Sequence, residues 1–115
     1  MKRLSAPLVL ALMLVSGAAS AKGDVEAGKA KALPCTACHG PDGNAGIDPQ
    51  YPRLAGQYAD YLARALHEYK SGERKNPIMM GFATPLTDED IDNLSAYFAS
   101  LPGKLTDLHG RVGGE

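Results

Sequence analysis

The sequence of 115 residues is poor in the residues that build a large core. It has no tryptophan, five tyrosines, two phenylalanines and two cysteines, and its thirteen glycines and eight prolines take many positions out of regular packing. Chains of this size bury a modest share of their surface and often need a disulfide, a metal or a cofactor for stability. We therefore expect a group other than side chains to fill part of the core.

The sequence also lacks an excess of basic residues. Without Lys2 and Arg3, which lie in the leader described next, ten lysines and arginines stand against thirteen aspartates and glutamates, a net charge of −3 with neutral histidines. Nucleic-acid-binding domains carry a basic patch or stripe. We therefore predict no nucleic acid among the partners.

Long apolar runs are absent except near the start of the chain. Residues 8–15 (LVLALMLV) follow Lys2 and Arg3 and precede the small residues ASA at 19–21, which is the pattern of a cleaved signal peptide. An uncleaved membrane anchor is the alternative, but a membrane-spanning helix needs about 20 apolar residues. We predict that residues 1–21 are a cleaved signal peptide and that the protein is periplasmic, with no stable insertion in the membrane.

The rest of the chain predicts an all-α fold of short helices and long loops, because it shows helical periodicity, no internal repeat and no convincing strand. Asp24 is the predicted N-cap of the first helix, and Thr87 with Asp90 predicts a capping box for the last. Pro34 and Gly72 are predicted helix ends. The loop 73–86 is apolar, so we expect it to lie against something buried. The predicted helices cover residues 24–33, 57–71 and 87–101, and the other long loop covers 40–56.

Both cysteines lie in one motif, CTACHG, with His39 directly after the second. The pair alone also occurs in dithiol oxidoreductases, structural zinc sites and local disulfides. The chain lacks the strand-helix-strand setting of a dithiol enzyme, and His67 and His109 form no recognisable second half of a zinc site. A disulfide between Cys35 and Cys38 would leave His39 unexplained.

Cys-x-x-Cys-His is the motif of covalent haem c attachment. The thiols of Cys35 and Cys38 would add to the two vinyl groups of haem, which places the next residue, His39, under the iron as an axial ligand. This attachment takes place outside the cytoplasm in bacteria, in agreement with the predicted export. We predict one covalently bound haem c and its iron as the cofactor.

A six-coordinate haem needs a second axial ligand. Met79 and Met80 are the only methionines after residue 21, and methionine is also a common core filler. On an extended loop, adjacent residues point in different directions, so one of the pair is free to face the iron. His67 is a competing ligand, although a histidine at such a helical position is more often a surface or packing residue.

Several motifs in a fixed order give the chain a specific resemblance. Gly28, seven residues before the first cysteine, is followed by CTACHGPDGN, YPRLAGQ, YKSGERKNPIMM and LTDEDIDNLSAYFASL. The chain resembles a class I c-type cytochrome of the small bacterial single-haem kind, and it also resembles one half of the dihaem tandem cytochromes. The resemblance covers residues 24–101 and implies a cytochrome c domain at 22–102, wrapped around one haem. Residues 103–115 lack periodicity and are predicted to be a flexible tail.

The resemblance also implies contacts around the haem. The first and last helices would cross where Gly28 meets Tyr97 or Phe98, since a residue without a side chain leaves room for an aromatic ring. The backbone carbonyl of Pro52 would accept the other imidazole N–H of His39, which fixes the ring and tunes the iron.

Aligned without gaps from the last helix, the family pattern places Met79 rather than Met80 at the ligand position. Gly81 is expected to let the chain turn away just after the pair. Arg53 and Arg74 match positions near the haem propionates, although a solvated surface arginine explains either equally well.

With both axial positions taken by side chains, the iron has no open site for a substrate. The sequence therefore predicts an electron carrier and not an enzyme: a soluble, monomeric periplasmic protein that passes single electrons between a donor and an acceptor protein. The alternative is a haem c subunit docked permanently on a periplasmic oxidoreductase. An enzyme-class interpretation would need a five-coordinate iron that binds exogenous ligands.

Overall fold

The structure is a computed structural model that describes residues 22–44 and 48–105, so the predicted signal peptide and most of the predicted tail lie outside it. These residues form helices and loops without a strand, which confirms the all-α prediction. No helix among them is long and apolar enough to cross a membrane. The helices are α1 (Val25–Lys31), α2 (Leu33–His39), α3 (Ala59–Ser71), α4 (Pro77–Ala83) and α5 (Asp88–Ser100).

The first and last helices cross in close contact, as predicted. At Gly28 a Cβ atom would lie 2.0 Å from the carbonyl oxygen of Asn93 and 2.7 Å from Cβ of Tyr97. The side chain of Asn93 also accepts a hydrogen bond from the backbone N–H of Asp24, at 2.7 Å. Only glycine allows the two backbones to approach this closely, so Gly28 sets the distance between α1 and α5.

The prediction that Pro34 ends the first helix was wrong. Helix α1 already ends at Lys31, and Pro34 lies in the first turn of α2, which also contains Cys35, Cys38 and His39. A proline is tolerated there because the N–H groups of the first turn have no partner within the helix. The two cysteines are therefore presented by a helix rather than by a loop.

The prediction of one continuous loop over residues 73–86 was also wrong. Asn76 has extended backbone angles, and its side-chain oxygen accepts the N–H groups of Ile78 and Met79 at 3.1 Å each. Pro77 then starts α4, so the chain begins a helix with an asparagine N-cap followed by a proline. Gly81 lies inside α4 and does not turn the chain.

The predicted capping box of α5 is present. The hydroxyl of Thr87 accepts the N–H of Asp90 at 3.1 Å, and the carboxylate of Asp90 accepts the N–H of Thr87 at 3.0 Å. Gly72 ends α3 with a positive φ of 82°, which glycine adopts without strain. The sequence signals at these two helix ends are local, and the structure follows both.

Side chains alone make a small core in the described part of the chain. Its largest fully buried side chains are Ile91 and Leu94. On α4, Ala83 is buried, but other apolar side chains of the predicted apolar loop are exposed: Ile78, Met80 and Phe82. The central cluster contains Ala32, Leu62, Leu94 and Phe98, with partly buried Cys35, Leu54, Leu66, Leu86, Tyr97 and Leu101 packed against it.

Candidate functional site

Helix α2 places the motif residues at the edge of the core. Cys35 and Cys38 are one turn apart, so their side chains lie on the same side of the helix. Both thiols are free and half-buried, and His39, at the end of α2, is only 5% exposed. No group of three histidine, cysteine or acidic side chains in the described residues is arranged to hold a metal ion. The geometry therefore presents two separate thiols and one buried imidazole.

The surroundings of Cys35 keep its sulfur uncharged. Burial raises the pKa of the Cys35 thiol, because a thiolate is poorly solvated in the core, and the neighbouring Cys38 raises it further. The side chain packs against the apolar cluster of the core. A thioether is neutral, so this position suits a sulfur that is covalently bound to an apolar group.

The imidazole of His39 is held in one orientation by the backbone. Its Nδ1 atom lies 2.7 Å from the carbonyl oxygen of Pro52, the contact that the resemblance implies. Because a carbonyl only accepts hydrogen bonds, Nδ1 carries a proton, and in the neutral imidazole the lone pair is therefore on Nε2. The described residues give Nε2 no hydrogen-bond partner, so it is the nitrogen with which His39 would bind a metal.

The two methionines lie on different faces of α4. Successive helical residues point about 100° apart. Met79 is half-buried, and Ala83, one turn later on the same face, is completely buried. Met80 is 42% exposed. The two methionines point in different directions because they are on a helix, and not because they are on an extended loop as expected. Their positions favour Met79 as the methionine that faces inward.

His67, the competing ligand, lies on an exposed face of α3. Its Nδ1 atom is 3.9 Å from a carboxylate oxygen of Asp88, and both side chains are solvated. This surface position is the one that the sequence led us to expect of a helical histidine. A role as an iron ligand is therefore disfavoured for His67.

The two arginines have partners within the protein. Arg53 donates from Nε to the backbone carbonyl of Asn44 at 2.7 Å. The guanidinium of Arg74 lies 4.9 Å from the ring centre of Tyr69, and a hydrogen bond with Tyr61 raises the pKa of Arg74. The placement of the two arginines near the haem propionates remains a prediction. Asn44, the partner of Arg53, is a candidate functional residue that sequence reasoning missed.

These residues fit a covalently bound haem. Two thiols at one turn of a helix lie beside an imidazole with an available nitrogen. The side-chain core is small, and Ile78 and Phe82 of α4 are exposed apolar side chains that a large flat apolar group can cover. When bound, haem supplies an iron that changes oxidation state by one electron. The chain's own residues supply its attachment, its orientation and its apolar surroundings.

Comparisons with known proteins agree with this fit. The family model for cytochrome c matches residues 25–102. Cytochrome c4 of Pseudomonas aeruginosa is 47% identical over 100 residues, which cover 87% of this chain and 49% of that protein. Cytochrome c-554(548) of Halomonas halodenitrificans is 44% identical over 68% of this chain and 96% of that protein. The cytochrome subunit of sulfide dehydrogenase from Chlorobaculum tepidum is 34% identical over 67% of this chain and 68% of that protein.

The fold is also found in solved structures. The crystal structure of reduced recombinant cytochrome c4 from Pseudomonas stutzeri matches with a TM-score of 0.67 and 41% identity, over 72% of this chain and 48% of that one. This chain spans about half the length of the cytochrome c4 relatives and covers one of their domains. The family match over most of the described residues, together with the paired thiols that fit a single haem c, places the chain in the cytochrome c family.

Proposed function

We propose that this protein transfers single electrons through one haem c, with His39 and Met79 as axial ligands and Cys35 and Cys38 as attachment points. The observation that carries the proposal is the contact between His39 Nδ1 and the Pro52 carbonyl, which leaves Nε2 of a buried imidazole available. The inward-facing Met79 supplies the second ligand. With both axial positions occupied, the iron changes charge without binding a substrate.

The proposed pair of axial ligands should raise the reduction potential of the haem iron. A thioether stabilises ferrous iron, so histidine and methionine together give a higher potential than two histidines. The partners are redox proteins, one donor and one acceptor. We place the protein in the periplasm on the basis of the leader pattern at residues 1–21 and of its cytochrome c4 relatives.

The direct test is the absorption spectrum of protein exported from a host that attaches haem c, in both oxidation states. We expect haem that resists acid-acetone extraction, one electron per chain in a redox titration, and a weak sulfur-to-iron band in the oxidised form. The reduced protein should not bind carbon monoxide at neutral pH, because side chains occupy both axial positions of the iron. A five-coordinate iron would bind it. Extractable haem, or rapid carbon monoxide binding, would contradict the proposal.

A permanently docked subunit is the second candidate, and it is favoured by one relative that is named as the cytochrome subunit of sulfide dehydrogenase. Gel filtration of the untagged protein from its native host separates the two. A free shuttle elutes as a small monomer at every salt concentration. A subunit elutes in a stoichiometric complex that keeps its composition through a second column.

A further inference from the structure

Asn44 joins two parts of the chain that are far apart in sequence. Its side chain is buried, with 7% exposure. The amide nitrogen Nδ2 donates to the carbonyl of Pro102 at 2.9 Å, and Oδ1 accepts the backbone N–H of Lys104 at 3.1 Å. The segment after α5, which begins the predicted tail, is therefore fastened to the loop that follows the cysteine motif.

The backbone of Asn44 continues this connection towards His39. Its carbonyl accepts the 2.7 Å hydrogen bond from Nε of Arg53. Arg53 directly follows Pro52, so this side-chain bond fastens the residue next to the Pro52 carbonyl to the backbone of Asn44. That carbonyl is the acceptor for His39 Nδ1. Three consecutive contacts thus connect the C-terminal segment with the imidazole.

The same stretch of backbone is fixed on its other side. The carbonyl of Gly43, the residue before Asn44, accepts the N–H groups of Leu54 and Ala55 at 2.8 and 3.1 Å. A Cβ atom at Gly103 would lie 2.1 Å from the carbonyl oxygen of Ala55. The loop that carries Pro52 is therefore clamped between residues 43–44 and the C-terminal segment.

We propose that Asn44 is a positioning residue that holds the Pro52 carbonyl against His39 and so tunes the reduction potential of the haem iron. The proposal rests on His39 being the axial ligand. A strong bond from Nδ1–H to a carbonyl makes the imidazole more electron-donating, which stabilises ferric iron. Loosening that carbonyl weakens the donation and raises the potential.

The test compares two buried asparagines in the haem-loaded protein. Asn44→Ala removes the bonds to Pro102 and Lys104, whereas Asn93→Ala removes a similarly long-range bond, to Asp24, far along the chain from Pro52. We expect both variants to lose stability. Only Asn44→Ala should raise the midpoint potential. It should also speed the exchange of the His39 Nδ1 proton in nuclear magnetic resonance spectra about tenfold, the change expected when one hydrogen bond of ordinary strength is lost.

The sign of the potential shift excludes a purely structural role. Water entering a loosened pocket stabilises the more charged ferric state and lowers the potential. An unchanged or lower potential in Asn44→Ala, or equal shifts in Asn44→Ala and Asn93→Ala, would overturn the proposal. If the native protein shows no haem-shifted His39 proton at all, the axial assignment itself has failed, which is a separate result.

A second pair of variants covers the case in which Asn44→Ala does not fold. Lys104 is exposed, and Lys104→Pro removes the backbone N–H that Oδ1 of Asn44 accepts. Lys104→Ala removes the same charge and keeps that N–H. A higher potential in Lys104→Pro than in Lys104→Ala supports the connection, and equal potentials refute it.

Discussion

At the scale of single residues, the direction of each side chain on α4 separates two adjacent methionines. Met79→Ala should abolish the weak sulfur-to-iron band of the oxidised protein, lower the potential and admit exogenous ligands, because the inward-facing thioether is lost. Met80→Ala, which truncates an exposed side chain, is the matched control and should change little. The spectrum of the oxidised variants decides. Reversed behaviour would assign the ligand to Met80, and a band retained in both would refute the placement of α4.

Residue-scale inference from the sequence went furthest where the signal was local. Cys35, Cys38 and His39 belong to one short motif, which is recognisable without distant information, although the helix that carries them was not predicted. Asn44 gave no comparable signal, because the two side-chain partners on which its proposed role depends, Pro102 and Lys104, are 58 and 60 residues away. A buried asparagine is distinguishable from an ordinary turn residue only when the tertiary contacts are known.

At the scale of the helices, two glycines inside helices should respond in opposite ways to alanine. Gly28→Ala should destabilise the haem protein by about 3 kcal/mol, because the new methyl group meets the backbone of Asn93 in a closely packed contact. Gly81→Ala should stabilise it by about 1 kcal/mol, because the added Cβ would meet no other part of the described chain within 4 Å and alanine favours a helix. Urea denaturation measures both, and a similar loss in the two variants would contradict the assigned helix contact.

The capping box of α5 should make part of the stability depend on pH. The N–H of Thr87 lowers the pKa of Asp90 below its ordinary value near 3.8, and Lys31, at 3.3 Å, lowers it further. Because the folded pKa is the lower one, the stabilisation is complete above the unfolded pKa and is lost as the pH falls through the folded pKa. The stability advantage of the native protein over Asp90→Asn should therefore be constant near neutral pH and shrink below about pH 4.

Urea denaturation at a series of pH values measures this difference. Glu89→Gln removes an exposed acidic charge from the same turn and serves as the control, since Glu89 takes no part in the capping box. A difference between native protein and Asp90→Asn that stays the same down to pH 3 would show that the carboxylate charge contributes nothing to the cap.

The helices that sequence reasoning found and missed differ in how they are stabilised. Helices α3 and α5 have thirteen residues each, with enough periodicity and end signals to be recognised locally. Helices α2 and α4 have seven residues each and carry a proline in the first turn. Isolated helices this short are unstable in water, so packing against the rest of the protein decides whether they form. A proline in the sequence is compatible with a helix end as well as with the first turn of a helix.

At the scale of the whole molecule, the small core implies that folding depends on the haem. Cys35→Ala combined with Cys38→Ala should give a largely unfolded chain by far-ultraviolet circular dichroism, because Ile91 and Leu94 are the largest side chains fully buried in the described residues. Thr36→Ala, which keeps both thiols, is the control and should remain helical. A cooperative thermal transition in the double variant would show that the side chains suffice.

The contact between α1 and α5 also fixes an order of events during synthesis. Gly28 meets Asn93 and Tyr97, so this contact closes a chain segment of more than sixty residues and belongs to the slow, non-local steps of folding. A chain that emerges N-terminus first presents Cys35 and Cys38 well before α5 is available. We therefore expect that haem can be attached to the two thiols before the last helix packs against the first.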